Sequence, residues 1–212
     1  LTFERTGTVD FPGNAVETVF SRDGRTLFVS NFRRAVVEVI DFATLTLRGE
    51  IAVGRHPKWM SLSPDGATLY VANYAVVDVS GESVESYREV RRLPTLRQPR
   101  GMAVLPSGEL LAAAFRGDVI HRFLPGAASE HGRWETCEMP RHIVLSPDGA
   151  TAYLTCSMGS IHFVDVASGR RFGIAPTGRN PRSTDITADG RWLGVANFTS
   201  NDVTLIDTVR RE

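Results

Sequence analysis

One turn recurs along this chain at nearly fixed intervals, and it limits the available folds more than any other feature. Ser63-Pro64-Asp65-Gly66 is followed by Ala67-Thr68-Leu69-Tyr70-Val71-Ala72-Asn73, and related stretches begin at Ser21, Leu105, Ser146 and Thr187. Their turn glycines fall at 24, 66, 108, 149 and 190, so the steps are 42, 42, 41 and 41 residues. A period of about 40–50 residues made of short strands marks a β-propeller array. Each Asp-Gly or Ser-Gly reads as a tight hairpin, glycine supplying the positive φ that such turns need.

The segments between the turns read as strands. The first repeat supplies Ala15–Phe20, Thr26–Asn31 and Val36–Asp41, then a fourth strand over residues 45–53. The whole chain is expected to be one domain of five repeats, at roughly 10–53, 54–96, 97–138, 139–178 and 179–212. The fifth repeat stops after its third strand, at Asp207, while residues 1–9 read as an unattached strand that echoes Leu45-Thr46-Leu47. The expected fold class is therefore all-β: a five-bladed β-propeller of four-stranded antiparallel blades. Its ring would be closed by the N-terminal strand completing the last blade, which removes an exposed sheet edge. The rival reading is a fragment of a larger ring.

Composition decides less. The 24 basic and 24 acidic residues cancel, so net charge names no partner. Lys58 is the one lysine among 23 arginines, a skew that reads as the mark of a high-GC bacterial genome. No apolar run approaches the ~18 residues of a membrane span. With no signal peptide visible and Leu1 in first place, the chain reads as trimmed, and either cytoplasmic or exported with its signal removed. Cys137 and Cys156 are too few for a disulfide framework. They read as buried thiols, with one bridge as the alternative.

With the repeats laid out, the chain resembles the YVTN β-propeller family. The resemblance is carried by Leu69-Tyr70-Val71-Ala72-Asn73, Leu27-Phe28-Val29-Ser30-Asn31 and Leu193-Gly194-Val195-Ala196-Asn197, together with the Ser-Pro-Asp-Gly turns. Val53-Gly54-Arg55-His56-Pro57 and Thr177-Gly178-Arg179-Asn180-Pro181 match as well. The resemblance implies the fold and leaves function wide, because the family spans surface-layer proteins, lactonase-like enzymes and propeller domains of redox enzymes. The third repeat departs most, with Ser107 in place of the turn Asp and Phe115 where Asn is expected.

Sorting charge by propeller face breaks the apparent neutrality. Loops leading into the inner strands carry Arg33, Arg34, Arg55, His56, Lys58, Arg97, Arg100, Arg116, Arg141, His142, Arg179 and Arg182. The opposite face carries Asp23, Asp41, Asp65, Asp148, Asp165, Asp189 and Asp207. The sharpest pattern is a cation after the repeat's proline: Pro57-Lys58, Pro99-Arg100, Pro140-Arg141 and Pro181-Arg182. Guanidinium forks suit carboxylate and phosphate, and a focused field raises the local anion concentration. The structural alternative is that these cations bond loop carbonyls or a neighbouring Asp. Glu17, Trp59, Gly101, His142 and Ser183 come next in each repeat and are expected at the channel mouth.

The expected role is a binding or scaffolding propeller whose cationic face captures an anionic small molecule, glycan or partner protein through Lys58, Trp59, Arg100, Arg141 and Arg182. The alternative is a cofactor-independent hydrolase, lactonase or cyclase with Glu17 or His142 as general acid or base. His121, His131 and His162 show no ligand spacing, so neither a metal site nor a cofactor is expected. Aromatics are not interleaved with the basic positions as on a single-stranded nucleic-acid platform, so no nucleic-acid partner is expected.

Overall fold

A computed structural model describes residues 7–211. Its strands form five antiparallel sheets in sequence order, each a simple meander. Sheet 1 holds β1 (Ala15–Phe20), β2 (Thr26–Asn31), β3 (Val36–Asp41) and β4 (Thr46–Ala52). Sheet 2 holds β5 (Pro57–Leu62), β6 (Thr68–Asn73), β7 (Asp78–Ser83) and β8 (Glu89–Pro94). In sheet 3 are β9 (Pro99–Val104), β10 (Leu110–Ala114), β11 (Val119–Phe123) and β12 (Gly132–Glu135). Sheet 4 comprises β13 (Pro140–Leu145), β14 (Thr151–Cys156), β15 (Ser160–Asp165) and β16 (Arg171–Pro176). Sheet 5 has three strands, β17 (Pro181–Ile186), β18 (Trp192–Asn197) and β19 (Asp202–Asp207). The described residues contain no helix, and the fold is of the β-propeller type.

The recurrent turn is held by its own side chains. Ser63 donates its hydroxyl to Asp65 and accepts the Thr68 N–H at 2.9 Å, while Asp65 accepts the Ala67 N–H at 3.0 Å. Ser21–Asp23, Ser146–Asp148 and Thr187–Asp189 repeat this arrangement. These hydrogen bonds lower the pKa of each aspartate, so the acidic face is largely a row of turn locks.

The core lies between consecutive sheets. Phe28, Val37, Val39 and Ile51 of sheet 1 pack on Met60, Leu69 and Val71 of sheet 2. Tyr70, Val79 and Leu93 meet Met102, Leu110 and Phe123. Leu111, Ile120 and Trp134 meet Ile143, Leu154 and Val164, and Ile161 and Phe163 meet Leu193, Val195 and Ile206. The first strands of the sheets pack in succession, β1 on β5, β5 on β9, β9 on β13 and β13 on β17.

The two ends of this series differ from its middle. Val203 and Leu205 on β19 are 64% and 67% exposed, with Trp192 and Phe198 also open. At the other end Val16 and Phe20 of β1 are exposed. The strand expected over residues 1–9 lies mostly outside the described residues, and residues 7–9 are not strand.

The cysteines correct the sequence reading: they are bridged rather than free, Cys137 to Cys156, with Cα atoms 5.8 Å apart. The repeats explain why. Cys137 stands three residues before Pro140, as Gly54 stands before Pro57 and Gly178 before Pro181. Cys156 faces Pro140 across the ladder, as Asn73 faces Pro57 and Asn197 faces Pro181. Elsewhere the glycine lets the loop lie against the asparagine; a Cβ on Gly54 would sit 2.4 Å from the Asn73 side chain. In sheet 4 the same contact is made covalently.

A candidate anion site on the inner strands

Each cation that follows a repeat proline occupies a β-bulge. Pro57 pairs with Asn73 and Trp59 with Ala72, which leaves Lys58 as the extra residue. Arg141 and Arg182 are extra in the same way, and the β9–β10 register slips across Arg100 and Gly101. A bulge leaves its residue unpaired and re-aims its side chain. The residue before each proline adds to the bend: His56, Gln98, Met139 and Asn180 all have φ between 51° and 58°. Left-handed backbone is strained for such side chains, and strain of this kind clusters at functional sites.

The four cations converge. Burial, then the charges of Arg100, Arg182 and Arg141, lower the pKa of Lys58. Arg141 falls to about 10, through burial and the charges of Arg100 and Arg182. Burial also lowers Arg100, with Arg182 contributing. Among the described residues none of the four lies within 4.0 Å of a carboxylate. Arg34, by contrast, is held by Glu38 and Glu50 at 2.9 and 2.6 Å, so it is a structural member of the cationic face.

What lies beneath the cations is aromatic. Lys58 Nζ sits 5.2 Å above the Phe32 ring, Arg100 and Arg141 each 5.0 Å above Phe115, and Arg182 3.5 Å above Phe198. These rings occupy one repeated position. Phe32, Tyr74, Phe115 and Phe198 all donate their N–H to the residue before the first strand of their own sheet, and Ser157 holds the place in sheet 4. Phe115 therefore belongs to the aromatic position and Ala114 to the asparagine one, a correction to the sequence alignment. The turn of the third repeat is one residue shorter, which shifted the count. Ser157 acts differently, accepting from Arg141 Nε and donating to the Met139 carbonyl, both at 2.7 Å.

The residues next in the repeats meet only in part. Trp59 reaches His142, ring centroids 4.2 Å apart, across the glycine of the intervening sheet. Gly101 allows this, because a Cβ there would lie 2.5 Å from the Arg141 carbonyl oxygen and 2.6 Å from His142 Cα. His142 is 8% exposed and its Nδ1 accepts the Thr184 N–H at 3.0 Å, so its single neutral-state proton is on Nε2. Burial pushes it down to about 4. Glu17 is half-buried, donates its N–H to Ser30 Oγ at 3.1 Å, and has its carboxyl pushed up to about 7 by burial. Ser183 is exposed beside Arg182. The arrangement can hold an anion against a positively charged, ring-backed surface.

Four comparisons place this chain among known proteins. A family model described as a domain of unknown function (DUF7165) matches residues 7–161. The antigen Lp49 of Leptospira interrogans is 20% identical over 254 aligned residues, covering 89% of this chain and 56% of the antigen. Hydrazine synthase of Kuenenia stuttgartiensis superposes with a TM-score of 0.86 at 27% identity, over 98% of this chain and 66% of that one. A functionally unknown protein from Desulfotomaculum acetoxidans gives 0.81 at 14% identity, over 94% and 71%. The chain thus spans 56% of the antigen and 66% of the hydrazine synthase chain.

Proposed function

The chain belongs to the DUF7165 family, and from that premise we propose that it is a binding propeller that captures an anionic small molecule, glycan or acidic partner at Lys58, Arg100, Arg141 and Arg182, with Trp59 at the margin. One observation carries the reading. Four cations are aimed by bulges at a common region, where like charge lowers the proton affinity of Lys58, Arg100 and Arg141, with no described carboxylate within 4.0 Å to offset them. Gathering like charges without a counter-ion is costly unless a ligand supplies the opposite sign. The aspartates of the other face are already engaged in their turns.

The test is a thermal-shift series with phosphorylated and carboxylated metabolites at low and moderate salt. An anion that fits raises the melting temperature at both salts, and Arg141→Glu abolishes the rise. If no anion shifts the parent chain, or if Arg141→Glu responds equally, the proposal fails. The enzyme alternative, a cofactor-independent hydrolase, lactonase or cyclase, is favoured by Glu17, whose value near 7 suits a general base at neutral pH. His142 lends it less, being buried and bonded to Thr184.

The finer architecture is part of the same proposal. Five blades form a ring closed by the N-terminal segment, which supplies the fourth strand of the last blade ahead of residues 7–9. Kinship with the YVTN propellers rests on the repeat motifs. Closure would cover Val203 and Leu205 at one end and Val16 and Phe20 at the other.

A further inference from the structure

Beneath the cationic surface, sheets 1, 2 and 5 have an asparagine niche where the second strand meets the loop leading into the first, a place that Ala114 takes in sheet 3. In sheet 1 Asn31 Nδ2 donates to the Pro12 carbonyl at 2.7 Å and to Glu38 at 2.8 Å. In sheet 2 Asn73 donates to Asp78 and Ser80, and in sheet 5 Asn197 donates to Asp202 and Thr204. Sheet 4 keeps the niche and changes all its chemistry. Cys156 replaces the asparagine, and His162 stands where Glu38, Ser80, His121 and Thr204 stand in the other ladders. Cys137 replaces the loop glycine. The two Sγ atoms and a His162 ring nitrogen all lie within 4.8 Å of one another.

We propose that this niche is a redox-gated site for a thiophilic divalent cation of the zinc class. It is closed while Cys137 and Cys156 are bridged and becomes a Cys2His ligand set when the bridge is reduced. The ligand types are those of zinc sites, with Zn–S near 2.3 Å and Zn–N near 2.0–2.1 Å, which puts ligand atoms about 3.5–4 Å apart. Cys156 and His162 are buried on strands at 1% and 7% exposure, so two ligands are fixed by the sheet. Cys137 is half-buried on the loop over residues 136–139, so its sulfur can withdraw from its partner and admit the ion.

The chemistry balances. A dithiol reductant gives two electrons and two protons to the Sγ–Sγ bond and becomes a disulfide itself, leaving two thiols. Binding then releases both thiol protons, as the cation takes two thiolates and a neutral imidazole nitrogen. The bound ion takes over the bridge's task of fastening the loop to β14. That loop ends at Met139, whose carbonyl accepts from Ser157, the residue that holds Arg141.

Zinc titration against a chromophoric chelator tests this on oxidised and phosphine-reduced protein, with Co2+ as a visible probe of thiolate ligation. The reduced chain is expected to bind one Zn2+ at least 100-fold more tightly than the oxidised chain. His162→Ala should weaken that binding at least tenfold and alter the Co2+ spectrum. Equal binding by both redox states overturns the proposal, as does unchanged binding by His162→Ala, which would mean simple dithiol capture. Should reduction alone disturb the near-ultraviolet circular dichroism, one equivalent of Zn2+ must restore it; failure to do so also counts against the site.

Discussion

Glu82 shows how far a single residue can depart from the repeat that contains it. It occupies the position of Ile40 and Val164 in other ladders, is 0% exposed, and neither carboxylate oxygen has a partner within 3.5 Å. Burial raises its pKa from 4.5 to about 7, opposed by the Ser80 hydroxyl nearby and helped by the charge of Glu89. Because the folded-state value is the higher one, the stability tied to the protonated form is fully present below about 4.5. It is lost as pH rises toward 7 and changes little above that. Glu82→Gln should therefore stabilise the chain by about 2 kcal/mol at pH 8 and hardly at all at pH 4. Urea denaturation at the two pH values measures it, and equal shifts would show that the carboxyl does not titrate across this range. The sequence shows a glutamate in a strand; that both its faces are covered is a fact of packing.

At the scale of the strand, the bulge turns a Pro-Arg dipeptide into a site. The sequence shows the four cations at one repeat position, yet a regular strand there would alternate Lys58 and Trp59 across its faces. The extra residue and the left-handed residue before the proline break that alternation. Gly101 is the other element-level determinant, since the β13 backbone at Arg141 and His142 fills the space its side chain would need. Gly101→Ala should cost about 2–3 kcal/mol, because the new methyl meets backbone rather than a movable side-chain end. It should also part Trp59 from His142. Chemical denaturation followed by tryptophan fluorescence in a Trp134→Phe/Trp192→Phe background reports both, and an unchanged midpoint would mean the inner strands separate without penalty.

For the whole molecule, the question is what covers the ends of the sheet series. Every internal sheet buries both faces, whereas β19 leaves Val203 and Leu205 open and no described strand pairs with its outer edge. If the N-terminal segment completes that sheet, deleting residues 1–9 should lower the melting temperature by about 10 °C, equivalent to roughly 3–4 kcal/mol for a chain of this size. Amide exchange across β19 should accelerate in parallel. Unchanged exchange in the truncated chain would refute closure and leave those apolar faces to further repeats or a partner.

The sequence by itself determined the all-β class, the repeat length and most strand positions, because turn chemistry and strand alternation are local and are written once per 41 or 42 residues. It also exposed the proline-cation pattern, which is a property of spacing. Three things were settled by the tertiary structure. The aromatic bed under the cations depends on which ring faces which guanidinium across neighbouring strands, and a one-residue shorter turn hid Phe115 from a linear count. The fate of the cysteines follows from a loop-to-strand contact that a repeat alignment could have flagged, since both cysteines replace residues that touch in sheets 2 and 5. Whether a carboxyl such as Glu82 or an imidazole such as His142 is solvated, paired or buried depends on the neighbouring sheet, because desolvation is set by atoms distant in sequence and close in space.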